Sequence, residues 1–434
     1  MKHTHYFFLF LLFANPSFAQ QKKPNIIFVL ADDLGIDGVS AYGADFFKTP
    51  VIDKLAKEGI RYTNAYTVPL CGPSRALILS GRYGFRTGAV NQDMTGEIKP
   101  SAENFMPAIL KKAGYTSSMI GKWGQLPLGP AEFGFDDYLR FFGSGSFFNE
   151  AGKKDKYVVN GKEAVLKDGE YMPDLMHDHM VNFLAQHKKD PFYLYYSLSH
   201  VHGEIVATPD TKPGTSDYKD LYADNISYMD KLVGKLVHTL DSLKLRENTL
   251  IVFFGDNGTA GEAAQIGRVQ GQKLSGKKGT MQECGSLVPM IVNWPAMIKK
   301  PGVSSSLIDA ADFIPTFAEL AGAPLPTNNV LDGVSFAYQL KGGKGTAREW
   351  IFTGLGKDWY VRSANWKLMR SGDLYDMRKA PFEEKLVVLD DKTTAEKQKL
   401  QAVLDKLNPA GGFLDNGDGS GRHANKTKNK EKKQ

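Results

Sequence analysis

Residues 25–35 read Asn-Ile-Ile-Phe-Val-Leu-Ala-Asp-Asp-Leu-Gly. From Asn25 to Leu30 the run has no polar face, so it predicts a strand buried on both sides. Such strands belong inside a parallel sheet covered by helices. It stops at two adjacent carboxylates, Asp32 and Asp33. The pattern recurs down the chain: Tyr115–Ile120 leads into Lys122, Phe192–Ser197 into His200 and His202, and Thr249–Phe254 into Asp256 and Asn257. Helical periods lie between these runs. Thr49-Pro50 opens a helix with Val51, Ile52, Leu55 and Ala56 on one face. Glu103–Ala113 is a second helix, closed by Gly114. Tyr218–Leu243 carries Leu232, Val233, Leu236, Val237 and Leu240 at helical spacing. Alternating strands and helices predict an α/β fold, a large mixed, mostly parallel sheet sandwiched by helices.

Working outward, the texture changes near Thr346. Trp350–Thr353, Trp359–Arg362 and Trp366–Arg370 are short alternating segments with close turns, followed by a helical period over Ala395–Leu407. The reading is a domain over residues 20–345 that carries the chemistry, and an α+β subdomain over 346–415. The subdomain is a small antiparallel sheet with one helix. Residues 1–19 read as a secretory signal: Lys2, the apolar Tyr6–Ala14, then small residues at Ser17 and Ala19. That apolar run is too short to span a bilayer, so no membrane span is expected. Residues 416–434 read as a basic disordered tail. The mature protein is expected to be secreted or periplasmic.

Composition limits the function classes. With 434 residues, 42% hydrophobic and 24% charged, the chain is neither disordered nor fibrous. Its net charge of +6 suggests an anionic partner. However, Arg422, Lys426, Lys428, Lys430, Lys432 and Lys433 against Glu431, together with Lys2, account for all of it. The body between the ends is neutral, and nucleic acid is not an expected partner.

Ligands of open parallel sheets bind at the carboxyl ends of the strands, so the polar groups after the four runs are expected to converge. Taken singly, Asp-Asp and Asp-Asn-Gly are also common turns. Together Asp32, Asp33, Asp256 and Asn257 form an all-oxygen set suited to Ca²⁺ or Mg²⁺ rather than zinc. Lysines and a histidine beside such a cation suit the hydrolysis of a phosphate or sulfate ester. Leu70-Cys71-Gly72-Pro73-Ser74-Arg75 places Cys71 just before a helix N-terminus, which favours an anionic nucleophile and an anionic substrate.

Cys-x-Pro-Ser-Arg is also the sequence at which type I sulfatases, of the alkaline phosphatase superfamily, have their Cys converted to formylglycine. The chain resembles that family in order over roughly residues 24–385. The matching stretches are Asn25–Gly35, Cys71–Gly88, Gly121-Lys122-Trp123, Thr249–Gly258, Lys278–Pro289 and Asp373–Asp376. The resemblance implies an alkaline-phosphatase-like sheet. It implies a cation, usually calcium, held by Asp32, Asp33, Asp256, Asn257 and the modified Cys71. It implies a nucleophile in the hydrated aldehyde at position 71, made more acidic by the metal and Arg75, and sulfate oxygens held by Lys122 and Lys278. His202 takes the place of the histidine that protonates the leaving oxygen. His200, two residues earlier, is the rival and a candidate substrate contact if the strand continues. Cys284 is expected to be a buried structural thiol.

Two departures stand out. The family's Gly-Lys-Trp-His reads Gly121-Lys122-Trp123-Gly124, which leaves Gln125 or His200 to replace the histidine, or the release step slower. Glu283-Cys284-Gly285 replaces Glu-Gly-Gly, which requires a negative φ at Cys284. The implied activity is a sulfuric ester hydrolase acting on a sulfated oligo- or polysaccharide, with a formylglycine-generating or sulfatase-maturating enzyme as partner. A phosphonate or phosphodiester hydrolase and a catalytically silent binder of sulfated glycans are the alternatives. The aromatic insert Phe141–Phe148 suits either stacking on sugar or packing on the sheet.

Overall fold

In the computed structural model, residues 22–143, 147–148 and 156–415 are described. The leader read in 1–19, the tail 416–434 and the middle of the aromatic insert lie outside the described residues. Ten strands form one sheet: β1 (Asn25–Ala31), β2 (Ile60–Tyr66), β3 (Thr116–Lys122), β4 (Asp137–Phe141), β5 (Lys156–Val159), β6 (Lys162–Val165), β7 (Phe192–Leu198), β8 (Thr249–Gly255), β9 (Met290–Asn293) and β10 (Gly302–Asp309). Their order is β10-β2-β9-β8-β1-β7-β3-β4-β5-β6. The centre, β8-β1-β7-β3-β4, is parallel, whereas β9, β5 and β6 introduce antiparallel pairs. The sheet is therefore mixed and mostly parallel, as expected.

β1 occupies the middle because nothing on it needs water. Ile26, Phe28 and Leu30 pack on one face against Phe313, Ile314 and Phe317 of the helix Phe313–Ala321 and Leu77 and Ile78 of the helix Cys71–Ser80. Ile27, Val29 and Ala31 pack on the other face against Leu232, Val233 and Leu236 of the helix Tyr218–Ser242 and Met176 and Met180 of the helix Met172–Gln186. The alternation of side chains along one strand thus feeds both helix layers. β1 and β8 run in register from Asn25 beside Thr249 to Ala31 beside Gly255, so Asp32-Asp33 and Asp256-Asn257 leave the sheet side by side.

Three local expectations are corrected. The helix expected over Glu103–Ala113 spans only Met106–Lys111. Pro107 has no N–H to donate and fits only the first turn, so the helix cannot extend upstream through it. Lys122 ends β3 instead of following it, and Cys71 is the first residue of its helix, with Leu70 at the N-cap.

A second sheet joins β11 (Ile351–Leu355), β12 (Asp358–Arg362), β13 (Trp366–Met369), β14 (Leu374–Asp376) and β15 (Lys385–Leu386), antiparallel in chain order. Its helix runs Asp391–Leu407, one turn longer at the start than expected, because the Asp390 carboxylate accepts from Thr393 N at 2.8 Å and caps it. Leu400 and Leu404 close over Trp359, Val361 and Leu368, in the same core as the Phe28 face. Among the described residues no helix is long and apolar enough to cross a membrane.

Candidate functional site

The carboxyl ends of β1, β3 and β8 and the start of the Cys71 helix meet at one buried cluster. Asp33 adopts φ 60°, a left-handed conformation that Asp tolerates better than most residues. Its N–H donates to Asp256 Oδ1 at 3.0 Å, which ties Asp32-Asp33 to Asp256-Asn257. Asp32 N–H donates to Leu198 O and Asp256 N–H to Ala31 O, so both pairs also hang on neighbouring strand ends.

Three cations neutralise the three carboxylates. Arg75, with no exposed surface, donates from Nε and Nη2 to Asp256 Oδ2 at 3.2 and 2.9 Å. Its Nη1 donates to Lys122 O at 2.9 Å and to Ser197 Oγ at 2.6 Å. Lys122 Nζ donates to Asp32 Oδ2 at 2.5 Å, and Lys278 Nζ to Asp33 Oδ1 at 2.5 Å. Lys278, whose own N–H donates to Thr259 O at 2.9 Å, turns its side chain inward to Asp33, whereas Lys277 faces solvent. Burial alone would push the Asp32 carboxyl up, but Lys122, His202, Arg75 and Lys278 together hold it well below the usual range. Burial and the neighbouring Asp32 charge push Asp256 the other way. Burial weakens the Lys278 ammonium, and Asp33 more than reverses that, raising it above the ordinary lysine value.

Gly121 makes this convergence possible. It lies at φ 109° beside Ser197, where any Cβ would overlap the Ser197 carbonyl, so only glycine keeps β3 and β7 paired as far as Gly121, next to Lys122.

The two histidines separate. β7 ends at Leu198 and the chain turns through His200 and Val201, so the alternation that would put His200 and His202 on one face stops short. His202 Nε2 lies 3.8 Å from Asp33 Oδ2. Burial lowers the pKa of His202, with Asp32 opposing. His200 instead packs among Phe147, Tyr228 and Tyr171, at ring separations of 5.8, 6.0 and 6.4 Å, and neither of its nitrogens has a hydrogen bond. The structure does not bring it to the carboxylates.

Burial pushes His200 down to about 3 from an ordinary 6.5. The fold therefore accommodates the neutral ring, while the unfolded chain takes up a proton near pH 6.5. The stability this ring contributes is complete above pH 6.5 and is lost as pH falls from there toward 3, by about 1.4 kcal/mol per pH unit. Urea midpoints between pH 7 and pH 5 should fall further for the parent chain than for His200→Leu. Equal falls would show that His200 is hydrated or charged in the fold.

The donor set fits a hard divalent cation. The Nδ2 of Asn257 is engaged by Asp33 Oδ1 and Gly258 O, both at 2.9 Å, which leaves its buried Oδ1 without a donor; Asp32 Oδ1 has no hydrogen bond either. Buried acceptors with no donor are costly unless something positive faces them. Oxygen atoms of Asp32, Asp33 and Asp256 lie within 4.8 Å of one another, as do ligand atoms of Asp32, Cys71 and His202.

One neighbour of Cys71, Gln92, was not read from the sequence. Gln92 Oε1 accepts from Gly72 N at 3.1 Å, its Nε2 lies 3.3 Å from Cys71 Sγ, and the same nitrogen donates to Gln125 Oε1. A glutamine in an irregular loop carries no pattern that marks it. Cys284 is buried, is absent from the positive-φ residues and has its thiol pushed up by burial. Glu283 is a structural anchor, accepting from Tyr66 OH at 2.8 Å and paired with Arg362 at 3.4 Å.

Residues 24–323 match the family model described as Sulfatase, and residues 276–410 match the one described as N-sulphoglucosamine sulphohydrolase, C-terminal. The N-acetylgalactosamine-6-sulfatase of Homo sapiens is 33% identical over 358 residues, covering 74% of this chain and 67% of that protein. The N-acetylgalactosamine-6-O-sulfatase of Bacteroides thetaiotaomicron is 29% identical over 434 residues, covering 81% and 83%. The chain spans about two thirds of the length of its mammalian relatives. A crystal structure of Ps i-CgsB in complex with k-i-k-neocarrahexaose superposes with a TM-score of 0.78 at 27% identity, covering 94% of this chain and 99% of that one.

Proposed function

The chain belongs to the sulfatase family, and on that premise we propose that it is a secreted or periplasmic hydrolase that removes sulfate from a sulfated oligo- or polysaccharide. The observation that carries the reading is the placement of Cys71. Its sulfur, at the start of a buried helix, lies within 4.8 Å of a ligand atom of Asp32 and of one of His202, in a cluster that also holds Arg75, Lys122 and Lys278. Similarity to N-acetylgalactosamine-6-sulfatases and to a structure holding a neocarrahexaose supports carbohydrate as the substrate class.

A formylglycine made from Cys71 by a maturating enzyme supplies the nucleophile. Asp32, Asp33, Asp256 and Asn257 would hold a divalent cation, calcium in preference to magnesium, which when bound would supply polarisation of the sulfate and a more acidic nucleophile. The chain's own residues do the rest. Lys122 and Lys278 hold the sulfate oxygens and neutralise charge as the leaving oxygen separates. Arg75 fixes Asp256 and, through Lys122 O, the end of β3. His202 holds a proton for the leaving oxygen, while the turn after Leu198 keeps it out of the sheet.

The role of His202 predicts a leaving-group dependence. His202→Ala should slow desulfation of a sugar by roughly 10²–10⁴-fold. It should slow desulfation of 4-nitrophenyl sulfate, whose leaving group needs no proton, far less. Equal losses on the two substrates would remove His202 from that role.

The reading as a whole is tested by sulfate release across a panel of sulfated oligosaccharides, after mass spectrometry has confirmed conversion of Cys71. The same preparation is given an aryl phosphonate. Release from at least one sugar sulfate is expected. Faster turnover of the phosphonate would reassign the site, and binding of sugars without release from any would make the protein a binder.

A further inference from the structure

We propose that Gln92, clamped by Gln125, is the positioning residue for the group carried at position 71. The inference rests on the sulfatase reading of the site and concerns residues that this reading does not assign.

The orientation of the Gln92 amide follows from its partners. Gly72 N–H can only donate, so it requires the oxygen end, at 3.1 Å. The nitrogen end must then face Cys71 Sγ, at 3.3 Å, and its second N–H goes to Gln125 Oε1. Every polar atom of the Gln92 side chain is thereby engaged, and the amide cannot turn over without losing its contacts. Gly72 allows this approach, because a Cβ there would come within 2.8 Å of Gln92 Oε1.

Position 124 cannot supply the contact. Gly124 sits at φ 81°, and a Cβ there would stand 3.3 Å from Arg75 Cδ, so a side chain is strained and crowds the arginine that holds Asp256. The next residue, Gln125, reaches across to Gln92 instead.

The chemical consequence lies in the hydration of the aldehyde. Water oxygen bonds to the carbonyl carbon, the π pair moves to the carbonyl oxygen, and that oxygen takes a proton from the water; nothing is oxidised or reduced. The aldehyde has one oxygen and the hydrate two. The hydrate can therefore meet the Gln92 N–H, which lies 3.3 Å from the Cys71 sulfur, with one oxygen while its other oxygen faces Asp32 and His202, whereas the aldehyde oxygen can meet only one of the two sides. Gln92 N–H therefore favours the hydrate. Unlike an imidazole, an amide neither takes up nor gives up a proton near neutral pH, so this bias does not titrate.

The test uses the full chain co-expressed with a maturating enzyme and labelled with ¹³C at cysteine Cβ. The chain has two cysteines, so the spectrum carries two labelled sites, with Cys284 as the reference for an unchanged fold. The hydrate-to-aldehyde ratio at position 71 is then read directly. In the parent chain the hydrate should dominate, at a ratio constant from pH 6 to pH 8. Gln92→Met should lower the ratio about three- to tenfold, the worth of one net hydrogen bond. Gln125→Ala, altering a residue at the surface, should lower it less. In both variants kcat should fall with KM within twofold. A ratio unchanged within twofold in Gln92→Met, or one that titrates in the parent, overturns the proposal. An aldehyde-bearing chain that releases no sulfate from any substrate overturns the sulfatase reading, while the ratio still judges Gln92. A position 71 that stays a thiol overturns both.

Discussion

Cys71→Ala should abolish sulfate release, lowering kcat by roughly 10⁴-fold or more, because removing a covalent nucleophile leaves only binding and electrostatic stabilisation. The fold should survive. Cys71 is 2% exposed and contributes one small side chain at the start of a helix whose Leu77, Ile78 and Leu79 carry the packing. The thermal midpoint of the variant should therefore stay within a few degrees of the parent. Sulfate release at the parent rate would end the assignment of the nucleophile to this residue. A collapsed midpoint would instead assign Cys71 a structural role.

Arg75→Met should have the largest effect on stability. One guanidinium satisfies Asp256, Lys122 O and Ser197 Oγ and lies 3.5 Å from Asp32, all without access to water. Deleting it leaves a buried carboxylate without its counter-charge, which costs about 3–5 kcal/mol. Urea unfolding reads this directly. Arg75→Lys should recover little, since a single ammonium cannot reach three partners that the planar fork reaches at once. A loss below about 1 kcal/mol in Arg75→Met would mean that Asp256 is neutral in the fold, against the ion pair described above.

The parts of the molecule legible in the sequence were those with a period or a shared position. β1, β7 and β8 are continuous apolar runs, and such runs have few other places to go than the middle of a parallel sheet. Once they are there, the convergence of Asp32, Asp33, Asp256, Asn257, Lys122 and His202 follows from where each run stops. The cysteine motif carried the resemblance, read over roughly residues 24–385, and the two family models match residues 24–323 and 276–410. What escaped was whatever depended on a few residues of local geometry. The two histidines were separated by a strand ending at Leu198, which alternation alone does not foresee. Pro107 shortened a helix whose hydrophobic spacing continued through it. Gln92 reaches Cys71 from an irregular loop, and loops place side chains by tertiary contact with no periodic signature.

The burial of Cys71 also has a consequence in time. The helix that carries it is covered by Ile314 and its neighbours, and β1 beneath acquires its partners only from residues 192–198 and 249–255. A chain made from its N-terminus therefore exposes Cys71 for the synthesis of roughly 240 further residues, on the order of ten to fifty seconds. On the function proposed above, an enzyme that converted Cys71 would work against that clock. The closing of the sheet would end its access, so a race between modification and folding would decide the fate of each molecule.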